Sequence, residues 1–460
     1  MSDETGSLTT RMMHEDLIRP VVFTGRRFYL AVALLGLIVL WGLAAWGYQV
    51  RTGMGVAGIN SPVFWGVYIA TYIFFIGISN AGTLISAMLR LSHAGWRHPV
   101  TRCAEAITVF ALMVGGMFPL IHLGRVWKFY WLIPYPNERG LWPNFHSPLV
   151  WDFMAINTYL LGSFVYLYLP MLPDLALIRD RVNGWRRRFY GLLALGWSGT
   201  PVEWHRLEKA ISILAVVIIP VAISMHSVVA WDFSVALKPM WHSTIFAPYF
   251  VVGALFSGIA ILIVAMVILR RVFHLEAYLE PIHFNNLGLL LLMFCCLWLY
   301  FTFAEYLVTW YGHLPDEMAP FRFRVEGSLA PFFWGMVLMN FVIPVPILAV
   351  RKTRTVTGCL VASLSILIGM WLERYLIVVG TLSRPRLEFA WGHYAPTWVE
   401  MSILAGTIAY FILLYVLFSK LFPIISIWEF KQGRRLRERR PTRDVPVMAD
   451  EPFPGVMLDD

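Results

Sequence analysis

Ten separate stretches of this chain each run for about twenty or more residues with few charges, the length a helix needs to cross a bilayer. No other feature limits the fold so tightly. The stretches lie near 28–49, 62–90, 102–124, 148–171, 207–230, 245–269, 284–309, 327–350, 355–379 and 398–422, and are numbered here as spans one to ten. Proline and glycine between them, such as Pro134, Pro136 and Gly184, mark the breaks. Composition agrees: 14% of residues are charged, where soluble domains carry about a quarter. The chain reads as an all-α polytopic membrane protein. The first 27 residues are polar and the next run is long enough to span, so a cleaved signal peptide is not expected.

Lysine and arginine set the orientation. They collect before span one, in the loops near 91–101, 172–206, 270–283 and 351–354, and after span ten, including Arg186, Arg187, Arg188, Arg434 and Arg435. The opposite loops are poor in base and rich in Trp, Tyr, Pro and His. The basic side is expected to be cytoplasmic, which puts both termini inside. Three segments result: a cytoplasmic N-terminal piece (1–27), the transmembrane domain (28–422) and a cytoplasmic tail (423–460), expected to be flexible from Lys431. The formal net charge of +9 lies in loops and tail, so it does not point to nucleic acid. The four cysteines all fall in apolar runs without a CxxC spacing, which argues against an iron–sulfur site or a disulfide framework.

One octapeptide occurs almost twice, as HSPLVWDF (146–153) and HSVVAWDF (226–233). The first opens span four and the second closes span five, so both lie toward the outer face. Asp152 falls about one turn into span four, and His122 about one turn before the end of span three. Consecutive antiparallel helices can therefore bring them to similar depth. Asp232 adds a second carboxylate and Arg374, in WLERYL of span nine, a cation. Ionisable groups at membrane depth cost roughly 2.5–3.5 kcal/mol each and usually face a cavity or one another. An acid and an imidazole within hydrogen-bond reach of one substrate suit quinol oxidation, which releases two protons that each need an acceptor. The plainer alternatives are a helix-dipole partner for the acids and interfacial anchoring for His and Trp.

The stretch GISNAGTLISAMLRL (77–91), the pair LIHLGR (120–125) and SPLVWDF (147–153), and HSVVAWDF together resemble the NrfD-like family, the quinone-handling membrane subunits of polysulfide-reductase-type enzymes. Length and span number are most similar to the ActC type, the larger of two such subunits in alternative complex III. The resemblance implies two four-helix bundles with flanking helices and no haem or iron–sulfur cluster held by the chain itself. It also implies a quinol pocket at the outer face, built from His122, Asp152, Asp232 and Arg374, with menaquinol as the expected substrate. Implied partners are a peripheral iron–sulfur subunit, a multihaem cytochrome c subunit and a second NrfD-like membrane subunit, in a bacterial cytoplasmic membrane. Relatives often carry histidine where this chain has Asn80, an amide that cannot accept a proton at neutral pH.

Ser79, Thr83 and Ser86 recur at helical spacing on span two, Glu105 starts span three and Glu305 lies in span seven. These residues are candidates for a proton route, although Ser and Thr in membrane helices commonly bond a neighbouring backbone. The aromatic outer loop 124–148 is a candidate cover for the pocket and a docking surface. His122 with His226 is a possible haem pair, but no inner pair accompanies it. Two other functions compete: a quinone-reducing anchor of a molybdopterin enzyme, and an ion-coupled transporter, whose paired broken helices are not found.

Overall fold

With no water to satisfy them in hydrocarbon, the backbone groups of each apolar run must pair within the run, and a helix is the outcome. The computed structural model describes residues 10–133 and 147–438. Among these, ten helices are long and apolar enough to cross a membrane: Arg26–Thr52, Gly66–Leu91, Thr101–His122, Pro148–Arg179, Pro201–Ser234, Phe246–Val272, Pro281–Gly312, Ala330–Ala349, Val356–Leu382 and Trp398–Leu421. They match the expected spans one to ten in order. Proline, whose missing N–H costs nothing in a first turn, opens spans four, five and seven. Capping boxes, Thr200 with Glu203 and Thr397 with Glu400, start spans five and ten.

Helix contacts define the expected architecture. Spans two, three, four and five form one closed ring of neighbours, and spans six, seven, eight and nine form a second. Span two joins the rings by packing on six and nine, and span five does so by packing on six. Spans one and ten pack on each other and on the first ring from outside. Burial follows this plan. The apolar window of span two is 89% buried and that of span one 11%, so the former is a hub and the latter a rim helix. The hub can be crowded because it carries small residues where neighbours press closest. A Cβ on Gly82 would stand 2.1 Å from the Ala104 carbonyl oxygen. Across the ring junction, a Cβ on Gly258 would stand 1.9 Å from that of Ala81.

The tail departs at its start from the expectation of a flexible extension from Lys431, because the described residues there are helical. Helix Ile427–Glu438 folds back across the end of the first bundle. Asp174 holds its first turn, accepting from the backbone N–H of Ile427 at 3.1 Å and of Trp428 at 3.3 Å. The same carboxylate takes an Arg102 hydrogen bond at 2.6 Å. Glu429 is buried and accepts from Arg90 and, at 3.3 Å, from Arg97. Burial opposes its charge, but the guanidiniums of Arg90, Arg97 and Arg102 outweigh that and hold its carboxyl below the usual glutamate range. The N-terminal helix Thr10–Val22, in the segment expected to be only polar, packs against the tail helix, so both ends of the described chain lie on one side.

Candidate functional site

The repeated octapeptide has a structural use. Its two copies sit on antiparallel helices, one in the first turn of span four and the other in the last turn of span five, so their aspartates reach the same level. Asp152 and Asp232 are direct neighbours there. Tyr72 of span two completes the group, donating its hydroxyl to Asp152 Oδ2 at 2.6 Å. Asp152 is 8% exposed, and the Oδ1 atoms of both aspartates are buried without a hydrogen-bond partner. Beside them Phe233 lies edge-on to Trp241 at 4.9 Å and to Trp65 at 5.5 Å, while Trp65 and Trp241 stack at 5.5 Å. The indole of Trp241 is fixed by donating to the Ile377 carbonyl at 2.9 Å, which ties span nine to this corner. His146, in the first copy, lies outside the described residues, as do residues 134–146 of the loop expected to cover the pocket.

Arg374 and His122 make no hydrogen bond or ion pair with the acid pair among the described residues. Arg374 is 1% exposed and lies over the Phe250 ring at 4.5 Å, with Glu373 at 3.5 Å. Both of its terminal nitrogens are buried without a hydrogen-bond acceptor. His226, fully buried, lies near this guanidinium and 6.1 Å from Phe250. The arginine therefore stands at the seam between the bundles. His122 ends span three with Nδ1 buried and unpartnered. Its backbone is held through the preceding residue, because Gln49 of span one donates to the Ile121 carbonyl at 3.0 Å and accepts from Tyr68. Among the described residues no hydrogen bond or ion pair joins His122 to Asp152, Asp232 or Arg374. Each of the four nevertheless carries polar atoms enclosed by protein rather than turned to lipid.

A polar row continues from this corner through the first bundle. Thr83 Oγ1 and the Tyr159 hydroxyl are 2.9 Å apart, and Ser163 Oγ lies 3.4 Å from Thr83. Thr108 donates to the Ser79 carbonyl at 2.7 Å, and Ser86 donates to Glu105 at 2.6 Å. Ser79 itself bonds the Ile76 carbonyl of its own helix at 2.6 Å. Below Glu105 lie Arg90 and Glu429, against the tail helix. Asn80 is buried in the same row with neither amide atom partnered. Glu305 is not part of it. It belongs to the second bundle, accepts from Ser243 at 2.8 Å and neighbours Arg324. Expected deep in span seven, it instead lies within about two turns of that helix's end, level with the loop that carries Ser243.

Sequence reasoning missed Tyr72, Tyr159 and Glu373. A signal for the first existed: Tyr72, Ser79, Thr83, Ser86 and Arg90 recur at intervals of seven, four, three and four, one face of span two. Among the described residues no group of three or more His, Cys, Asp or Glu is placed to hold a metal ion.

Comparison with known proteins places this geometry in a family. The chain is 27% identical to a selenate reductase subunit of Mesobacillus selenatarsenatis, over 94% of this chain and 100% of that one. It is 26% identical to a Halobacterium salinarum chain assigned as a dimethyl sulfoxide reductase membrane subunit, over 82% and 87% of the two chains. An Archaeoglobus fulgidus protein, the Hdr-like menaquinol oxidoreductase integral membrane subunit, is 23% identical over 86% and 94%. The family model described as polysulphide reductase, NrfD, matches residues 55–385, from before span two to the end of span nine. The chain belongs to the NrfD polysulphide reductase family.

Proposed function

We propose that this chain is the quinol-oxidising membrane subunit of a respiratory oxidoreductase complex. The observation that carries the proposal is the buried acid pair, Asp152 beside Asp232, with Tyr72 fixing one oxygen of Asp152 and no cation bonded to either acid among the described residues. In hydrocarbon such groups are retained where a substrate or a proton uses them. Oxidation of a quinol removes two electrons and two protons and leaves the quinone. Asp152 and Asp232, too close for both to be ionised, take one hydroxyl proton as a pair, His122 takes the other, and Arg374 steadies the negative charge that develops on the ring oxygens. The electrons leave to an iron–sulfur subunit docked on the outer face and pass on to a multihaem cytochrome c. Menaquinol is the quinol we assign, in keeping with the name of the Archaeoglobus relative.

Alternative complex III, with a second NrfD-like subunit, is the setting favoured by the sequence motifs. The names of the selenate and dimethyl sulfoxide reductase relatives favour a second setting, in which the same subunit serves a molybdopterin partner. Proteins that co-purify after mild solubilisation distinguish the two. We place the complex in a bacterial cytoplasmic membrane with both termini inside. The row from Thr83 to Glu105 is our candidate for proton movement coupled to the reaction. The test of the proposal is Asp152→Asn in the assembled complex. An amide cannot take the proton, and quinol oxidation should fall about 10²–10⁴-fold while the same proteins remain assembled. Wild-type turnover in that variant would end the proposal.

A further inference from the structure

Spans one and ten meet backbone to backbone, since a Cβ on Gly42 would stand 2.8 Å from Gly406 Cα. On one flank of that contact, toward span three, an apolar crevice of about 240 Å³ remains open, walled by Val39, Trp46, Ile121, Ile403 and Thr407 among others. Its walls are mostly apolar, with Trp46, Thr407 and Tyr410 the polar exceptions, and an apolar cavity of about 150 Å³ already accepts a benzene ring. Hydrocarbon is its natural content.

Three observations tie the crevice to the acid pair. Ile121, which lines it, directly precedes His122. The Ile121 carbonyl is held by Gln49, and Gln49 by Tyr68, one helical turn from Tyr72, the donor to Asp152. Crevice and acids thus share one hydrogen-bonded frame. Finally, the Trp46 indole N–H, at the outer end of the crevice, is buried without an acceptor. From Trp46 to Val39 the lining residues extend over seven residue steps of span one, roughly 10 Å along a helix.

We infer that this crevice binds the isoprenoid tail of the quinol and sets its preference for long-tailed substrate. The inference rests on the function proposed above. A tail leaving the bilayer gains nothing from the hydrophobic effect, because lipid is equally apolar. Selectivity comes from close contact with a fixed wall, which mobile acyl chains do not offer. Span one holds the residues for this role: apart from Gly42 and Ala45, its one buried side chain is Gln49.

The experiment uses the intact complex and two quinols with the same ring, one bearing a single isoprene unit and the other a long polyprenyl tail. Thr407→Phe and, as a gentler second variant, Val39→Phe fill the crevice. KM for the long-tailed quinol should rise about tenfold, the cost of losing about ten close carbon contacts. KM and kcat for the short-tailed quinol should not change. Equal responses to both quinols, or none, overturn the inference. In a second arm, a long-tailed quinol with a photoreactive group on its tail should label Trp46 or Ile121, with labelling blocked by excess quinol but not by phospholipid. Competition by phospholipid would make the crevice a lipid-acyl site and overturn the inference. If wild-type complex oxidises neither quinol while labelling still occurs, the functional reading fails and the tail site stands.

Discussion

Tyr72→Phe removes one oxygen atom and leaves the shape of the first bundle unchanged. What it deletes is the 2.6 Å hydrogen bond to Asp152 Oδ2. A hydrogen bond to a charged acceptor contributes about 1.5–3 kcal/mol. If the bond holds Asp152 in line with the leaving proton, that energy appears in the transition state. A loss of this size lowers kcat/KM by about ten- to 150-fold. The assay is steady-state quinol oxidation by the purified complex, with subunit stoichiometry checked beside it. Asp152→Asn supplies the internal control. Because Tyr72 acts through that carboxyl, Tyr72→Phe added to Asp152→Asn should cost less than about twofold more. Independent, multiplying losses would show that Tyr72 works by another route. An unaffected single variant would refute the positioning argument.

Other outcomes follow from packing and charge. Arg102→Leu leaves Asp174 buried without its partner and should destabilise the complex by about 3–5 kcal/mol, read as loss of assembled material on gentle heating. Gly258→Ala puts a methyl against Ala81 at the junction of the bundles and should cost about 1–3 kcal/mol, whereas the same change at the open position Gly36 should be silent. Docking of the tail helix has a defined pH dependence. Glu429 is held below its unfolded range, so its contribution is present above that range and is lost as pH falls through the folded value. Protease sensitivity after residue 426 should stay low from neutral pH to the ordinary glutamate range, rise only below it, and in Glu429→Gln be raised at all pH values.

The ten spans were legible because hydrophobic length is a local property that each segment announces by itself. The two aspartates stood out for a rarer reason, since they carry the same flanking residues, but the depth argument paired Asp152 with His122 of span three, whereas its neighbour is Asp232 of span five. Tyr72 was hidden, since tyrosine in a span normally passes for packing. It stands out only when the polar positions of span two are lined up on one face. Glu305 shows the opposite failure: it was read as deep in span seven, but it lies within about two turns of that helix's end, bonds Ser243 of the loop before span six and faces the second bundle. The tail helix could not be foreseen because Asp174 and Glu429 find their partners across separations as large as 339 residues. Nothing near Ile427 in the chain marks it as a docked element rather than a solvated one.

Span two is enclosed by protein on nearly every side, whereas span one offers most of its surface to lipid. Bilayers differ in thickness by a few ångströms, and a helix that meets lipid must match that thickness or tilt. Here the burden falls on the rim. The free ends of spans one and ten can lengthen or shorten as the membrane requires, while their contact at Gly42 and Gly406 stays fixed and the enclosed helix, with its row of hydroxyls and acids, keeps one register against its neighbours. Related chains living in thicker or thinner membranes should therefore differ at the outer helices and leave the interior alone.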